Sequence, residues 1–204
     1  TPTAQTATST GIQGDTQTGT VAFTAGKATV EGVEKEVPLK ANSAKLLNAD
    51  GSVPTEATVP AYAADGVTKV GTYSIDPSNN TVTFTPTDKT YKGTVQPANV
   101  QAEDENGTTV KTSYTPHIVG VAPTATPAES TNIQGEVQSG VVTFAPGKAT
   151  IDNVEKSVAI KEGSVKLVNA DGSVPTEATV PAYEADGVTK VGTYSIDPSN
   201  NTVT

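Results

Sequence analysis

A stretch that returns 121 positions later constrains this chain more than any other feature. Ile12-Gln13-Gly14 reappears as Ile133-Gln134-Gly135, and Asn48-Ala49-Asp50-Gly51 as Asn169-Ala170-Asp171-Gly172, with no gap between them. From Asn48 to Thr83 the two copies differ only at Ala63, which becomes Glu184. Copies this alike are two instances of one structural unit, so the fold must be one that a single copy can build. Val30/Ile151, Leu39/Ile160 and Leu47/Val168 exchange one aliphatic for another, as positions facing a packed core do. Ala41/Glu162, Glu36/Ser157 and Asp15/Glu136 change polarity or length, which fits solvent-facing positions.

Each copy opens on a stretch rich in Thr, Ala and Pro: Thr1 to Thr10, and Val121 to Thr131 with Pro123 and Pro127. Such stretches favour extended backbone at roughly 3.1 Å per residue, and they are read as semi-rigid spacers. The expected organisation is a leading linker at residues 1–11, a complete repeat at 12–120, a Pro/Thr/Ala linker at 121–131 and a second repeat at 132–204. Thr204 corresponds to Thr83, so the 204 residues hold no second counterpart of 84–119.

Nearly every segment reads as strand or turn. Val67 to Ile75 and Thr81 to Thr85 flank Asp76-Pro77-Ser78-Asn79-Asn80, which predicts a β-hairpin. Val100 to Glu103 and Thr108 to Tyr114 flank Asp104-Glu105-Asn106-Gly107 and predict a second, with Asn-Gly supplying the residues that tolerate positive φ. Earlier strands are expected at Gly19 to Thr24, Ala28 to Val33 and Thr55 to Tyr62, with Lys45-Leu46-Leu47 leading into the Asn48–Gly51 turn. No dozen residues carry a 3.6-residue apolar period. Short strands spaced by Gly, Pro, Asn and Asp point to an all-β sandwich.

Composition removes whole classes of function. There is no Cys, hence no disulfide framework, thiolate zinc site or thiol nucleophile. The net charge is −9, and the 13 basic residues are all lysine, so a phosphate backbone meets repulsion and no bidentate guanidinium. No apolar run reaches the length that spans a bilayer.

The order of short motifs is then informative. Gln17-Thr18-Gly19, Ala61-Tyr62, Val70-Gly71-Thr72-Tyr73, Asp76-Pro77 and Thr83-Phe84-Thr85-Pro86 come first. Val100-Gln101-Ala102-Glu103-Asp104-Glu105-Asn106-Gly107-Thr108 and Tyr114-Thr115-Pro116 follow. In this order they resemble the CshA-type fibril repeat of long, wall-anchored surface proteins of streptococci and related Gram-positive bacteria. That resemblance implies secreted, extracellular tandem repeats building a surface fibril. It also implies attachment to the cell wall in the parent protein, through an anchor outside this segment, and adhesion carried by a distal non-repetitive region.

Constellations that imitate chemical sites have plainer readings. His117 is the only histidine and has no second His or Cys to complete a catalytic or metal set; it is read as a residue at the end of the last strand. Asn48-Ala49-Asp50-Gly51 has Asp and Asn oxygens, but Val59 stands where a calcium loop needs its bidentate Glu, so a turn is expected. Glu103-Asp104-Glu105 is read as a solvated hairpin tip rather than a facing carboxylate pair. No catalytic, cofactor-binding or metal residues are assigned, and no cofactor is expected.

The fold class expected is all-β, with tandem Ig-like β-sandwich repeats joined by short Pro/Thr/Ala linkers into an elongated molecule. The function expected is that of a structural stalk in a bacterial cell-surface adhesin, not an enzyme. Its partners are neighbouring repeats of the same chain, with host proteins or glycans engaged through other regions of the parent; nucleic acid and membrane insertion are not expected. The alternative is that the repeats themselves adhere, to one another or to a host protein or glycan. That reading needs an exposed aromatic in both copies, for which Tyr62/Tyr183 and Tyr73/Tyr194 are the candidates. Lacking the strands of 84–119, residues 132–204 are expected not to form a stable monomeric domain. Limited proteolysis of the 204-residue chain should degrade the second copy rapidly and spare the first; equal resistance of both in a monomer would contradict this.

Overall fold

A computed structural model describes residues 1–204. Every regular element is a strand, and the chain divides into two compact units. One comprises Thr1–Val121 with Ala149–Lys156, the other Ala122–Lys148 with Ser157–Thr204.

The first unit is a two-sheet sandwich. Its strands are β1 (Thr3–Gln5), β2 (Ala7–Ile12), β3 (Gln17–Thr20), β4 (Ala22–Thr24), β5 (Gly26–Val30), β6 (Val33–Val37), β7 (Lys45–Leu47), β8 (Val59–Tyr62), β9 (Lys69–Asp76), β10 (Thr81–Pro86), β11 (Gly93–Thr94), β12 (Ala98–Glu103) and β13 (Thr109–Val119). One sheet runs β3-β10-β9-β8 and is antiparallel throughout. In the other, β12 lies between β7 and β13, β11 extends the pairing along the far end of β13, and β2 covers the remaining edge of β13. The β2–β13 pair is parallel, with Ala7 opposite Tyr114 and Ile12 opposite Val119.

Alternation decides which side chains enter the space between the sheets. Val82, Phe84 and Pro86 of β10 point inward, as do Ala98, Val100 and Ala102 of β12 and Tyr114, Pro116 and Ile118 of β13. Tyr73 meets Phe84 at a ring separation of 5.8 Å and Tyr114 edge-on at 6.2 Å. Such tilted pairs add about 0.5–1.5 kcal/mol each beyond the area they bury. Both predicted hairpins are present. In the first, Asn80 takes the positive φ. In the second, Gly107 does so and Asn106 does not, because the loop closes through Gly107 N–H to Asp104 C=O at 2.9 Å.

Four expectations need correction. Residues 1–11 are not a spacer: they supply β1, which pairs with β4, and most of β2, which closes the edge of β13. Likewise 124–126, within the stretch read as a second linker, pairs with 143–145. Thr and Ala suit an edge strand as well as a polyproline-like coil, and only an available partner edge distinguishes the two. Residues 28–33 are not one strand: 28–30 end β5 and Val33 begins β6, with Glu31 and Gly32 between them as a turn, both at positive φ. That hairpin forms a sheet of its own, which leaves Val30 51% exposed instead of in the core. Thr55 to Thr58 lie outside the strand expected there, which begins at Val59.

In the second unit the local pairings recur and the interior does not. Residues 180–183 pair with 190–194, and 140–141 with 202–203, as their counterparts do. Yet Ile133 is 73% exposed where Ile12 is 2%, and Val191 is 62% exposed where Val70 is 1%. Residues 128–133, the counterpart of β2, form no strand.

A protein beginning at Ile12 loses five of the six β2–β13 pairs, all three β1–β4 pairs and the cover over the β13 edge. Its first unit should melt on the order of 10 °C below that of a protein beginning at Thr1. A spacer would leave the calorimetric melting temperature unchanged.

Candidate functional site

The carboxylates are distributed among turns. Asp50 Oδ1 accepts from the Ser52 amide at 2.9 Å and its hydroxyl at 2.6 Å, and Asp76 binds Ser78 and Asp88 binds Thr90 in the same way. Asp65 accepts from the amides of Val67 and Thr68 and from the Thr68 hydroxyl. These are side-chain turns in which a short acidic residue replaces a backbone acceptor two or three residues back. The Asn48–Gly51 segment closes as a backbone turn, with Gly51 N–H donating to Asn48 C=O at 2.8 Å. No group of three or more His, Asp or Glu side chains is placed to hold a metal ion.

The acidic hairpin tip separates into distinct roles. Glu103 pairs with Lys40 at 2.8 Å, and Lys40 lowers its carboxyl below the ordinary range through that hydrogen bond and its charge. Asp104, expected to be solvated, is 4% exposed and accepts from the amides of Asn106 and Thr108, so it builds the loop from inside. All the lysines are exposed, whereas an intramolecular isopeptide bond needs its lysine within the core.

The structure assembles one polar cluster that sequence reasoning missed. Ser9 Oγ lies 2.5 Å from Tyr114 Oη and donates to Gln17 Oε1 at 2.6 Å; Gln17 Nε2 donates to the His117 carbonyl at 3.1 Å. Gln17 is only 6% exposed, so both ends of its amide are satisfied where an unpaired one would cost about 1–3 kcal/mol. Gly19 makes room: a Cβ there would lie 2.4 Å from the Tyr114 ring. Both Gln17-Thr18-Gly19 and Tyr114-Thr115-Pro116 stood out in the sequence, but nothing in their spacing says that they meet.

His117 sits within β13 rather than at its end, with Nδ1 3.1 Å from Thr94 Oγ1. Of the tyrosine candidates, Tyr73 is buried, with its hydroxyl donating to the Gln96 carbonyl at 2.5 Å. Tyr62 is half-buried beside a groove of about 150 Å³ that includes Leu47, Pro60 and Pro97. Tyr183 and Tyr194 are exposed, at 44% and 47%. No helix is long and apolar enough to cross a membrane.

Compared with known families, the chain matches the surface adhesin CshA repetitive domain twice, over residues 1–118 and 120–204. The first match takes in 1–11, the residues that form β1 and most of β2. A search of curated proteins returns no match.

The turn carboxylates and core phenols set the pH range of stability. Asp50, Asp76 and Asp88 are held below the ordinary 3.8 chiefly by the hydroxyl of Ser52, Ser78 and Thr90, and Asp65 chiefly by the Thr68 and Val67 amides. A lowered native value gives stability that is present above the unfolded value and lost as pH falls through the native one. Burial pushes the phenols of Tyr73 and Tyr114 above the ordinary 10.0, giving stability that is present below pH 10.0 and lost above it. Thermal melts across pH should therefore show a plateau bounded by these values. Asp65→Asn, which keeps one oxygen to accept from the Val67 and Thr68 amides and removes the charge, should make the acid limb shallower; an unaltered limb would exclude Asp65 as a contributor.

Proposed function

Because the chain belongs to the CshA repeat family, the repetitive region of a cell-surface adhesin, we propose that its repeats serve as structural stalk elements that hold a distal binding region away from the cell. The observation that carries this reading is where the diagnostic residues go. Gln17, Tyr73, Phe84, Tyr114 and Pro116 all lie in the interior of the first unit, and Gly19 clears the space that Tyr114 fills. The motifs that mark the repeat are thus spent on holding two sheets together. Such an element needs a self-contained fold and an acidic, soluble exterior, and it performs no chemistry of its own.

Small-angle scattering on proteins carrying one, two and three tandem copies of residues 1–121 tests the proposal. A stalk gives a maximum dimension that rises linearly with copy number. Units that fold back into a compact two-copy particle would contradict it and favour an adhesive module.

A further inference from the structure

Asn106-Gly107 is the one place in the chain where glycine follows asparagine, and it lies in the turn that joins β12 to β13. Asparagine is a thermally labile residue, and it is lost when the backbone nitrogen of the next residue attacks its side-chain carbonyl. The residue that follows therefore decides how easily the nitrogen approaches. Gly107 has no side chain, and even a Cβ built on it would meet nothing within 4 Å. Asn106 is exposed, and its bond to Asp104 at 2.9 Å uses the backbone amide, which leaves the side-chain amide in water.

The other asparagines are less well placed for this reaction. Asn80, Asn99, Asn132, Asn153 and Asn201 each precede Thr, Val or Ile, whose branched Cβ crowds the nitrogen. Asn48 and Asn169 engage their side-chain nitrogen with the hydroxyls of Ser52 and Ser173 at 2.9 Å. Asn79 and Asn200 engage their oxygen with the amides of Thr81 and Thr202 at 3.0 Å. Asn42, which precedes Ser43, is the nearest competitor.

We propose that Asn106 is a site of spontaneous deamidation, which converts the hairpin tip to a mixture of aspartate and isoaspartate. The Gly107 nitrogen bonds to Asn106 Cγ and the Cγ–Nδ2 bond breaks, releasing ammonia and leaving a cyclic imide. Water then opens the ring at either carbonyl, so the net change is an NH2 group exchanged for OH with no oxidation or reduction. In the closed turn the Gly107 N–H donates to the Asp104 carbonyl at 2.9 Å, so local opening of that bond precedes attack. Isoaspartate adds a methylene to the main chain between residue 106 and Gly107. Asp104 is 4% exposed and accepts from the amides of Asn106 and Thr108, and the lengthened chain cannot keep both bonds. Deamidation thus loosens the turn from within. The inference goes beyond the stalk reading and does not depend on it.

The test ages the 204-residue chain at mildly alkaline pH and follows every asparagine by peptide mapping, with electron-transfer fragmentation to distinguish isoaspartate from aspartate. Asn106 should convert at least tenfold faster than Asn42 and give both isomers. A synthetic peptide of residues 101–112, with no turn to open, should convert faster than the folded chain; equal rates would remove the Asp104 bond from the account. Aged protein should melt at a lower temperature than fresh protein, and an Asn106→Gln variant aged in parallel should not. An intact Asn106 beside a converted Asn42, aspartate without isoaspartate, or the same loss of stability in the variant would overturn the proposal.

Discussion

The seating of Tyr114 between the sheets is the contact on which the first unit depends. Its ring lies over Gly19, meets Tyr73 edge-on and carries a hydroxyl bound to Ser9. One side chain thereby joins β2, β3, β9 and β13, which come from the two ends and the middle of the unit. The arrangement works because Gly19 has no Cβ, and because Gln17 satisfies the polar groups that the ring's approach removes from water. In the second unit Tyr194 and Val191, the counterparts of Tyr73 and Val70, are exposed.

The parallel β2–β13 pair has a related consequence. Without β2 the 114–119 stretch of β13 would show an open edge, and unpaired strand backbone invites association with other chains. The first residues of the repeat cover that edge, so the start and the end of the unit are stitched to each other.

Some of the fold was legible because its signals are short in range. The Asp76–Asn80 and Asp104–Gly107 turns announce two hairpins, and the alternation in β10 and β12 announces the inward faces. Other features were not. The Thr/Ala-rich start looks like a spacer because its apolar content is low, and only the free edge of β13 makes it a strand. The Glu31-Gly32 turn divides what reads as a single strand, although the Asp152-Asn153 pair at the same place in the other copy, also at positive φ, is the signal that would have revealed it. The Ser9–Gln17–Tyr114 cluster could not be seen at all, since its members lie as much as 105 positions apart.

The two copies separate what the sequence determines alone from what tertiary structure decides. Asp65 and Asp186 make the same three hydrogen bonds at 2.8, 2.9 and 2.7 Å, and Asp50–Ser52 and Asp171–Ser173 agree equally well. These turns close over two or three residues, so identical sequence gives identical geometry whether or not a core stands behind it. Burial does not follow from sequence in that way. Tyr73 and Tyr194 lie in identical local sequence, yet one is enclosed and the other half exposed. Enclosing a side chain needs atoms on every side, and here those atoms belong to β13, which only long-range pairing brings to the place.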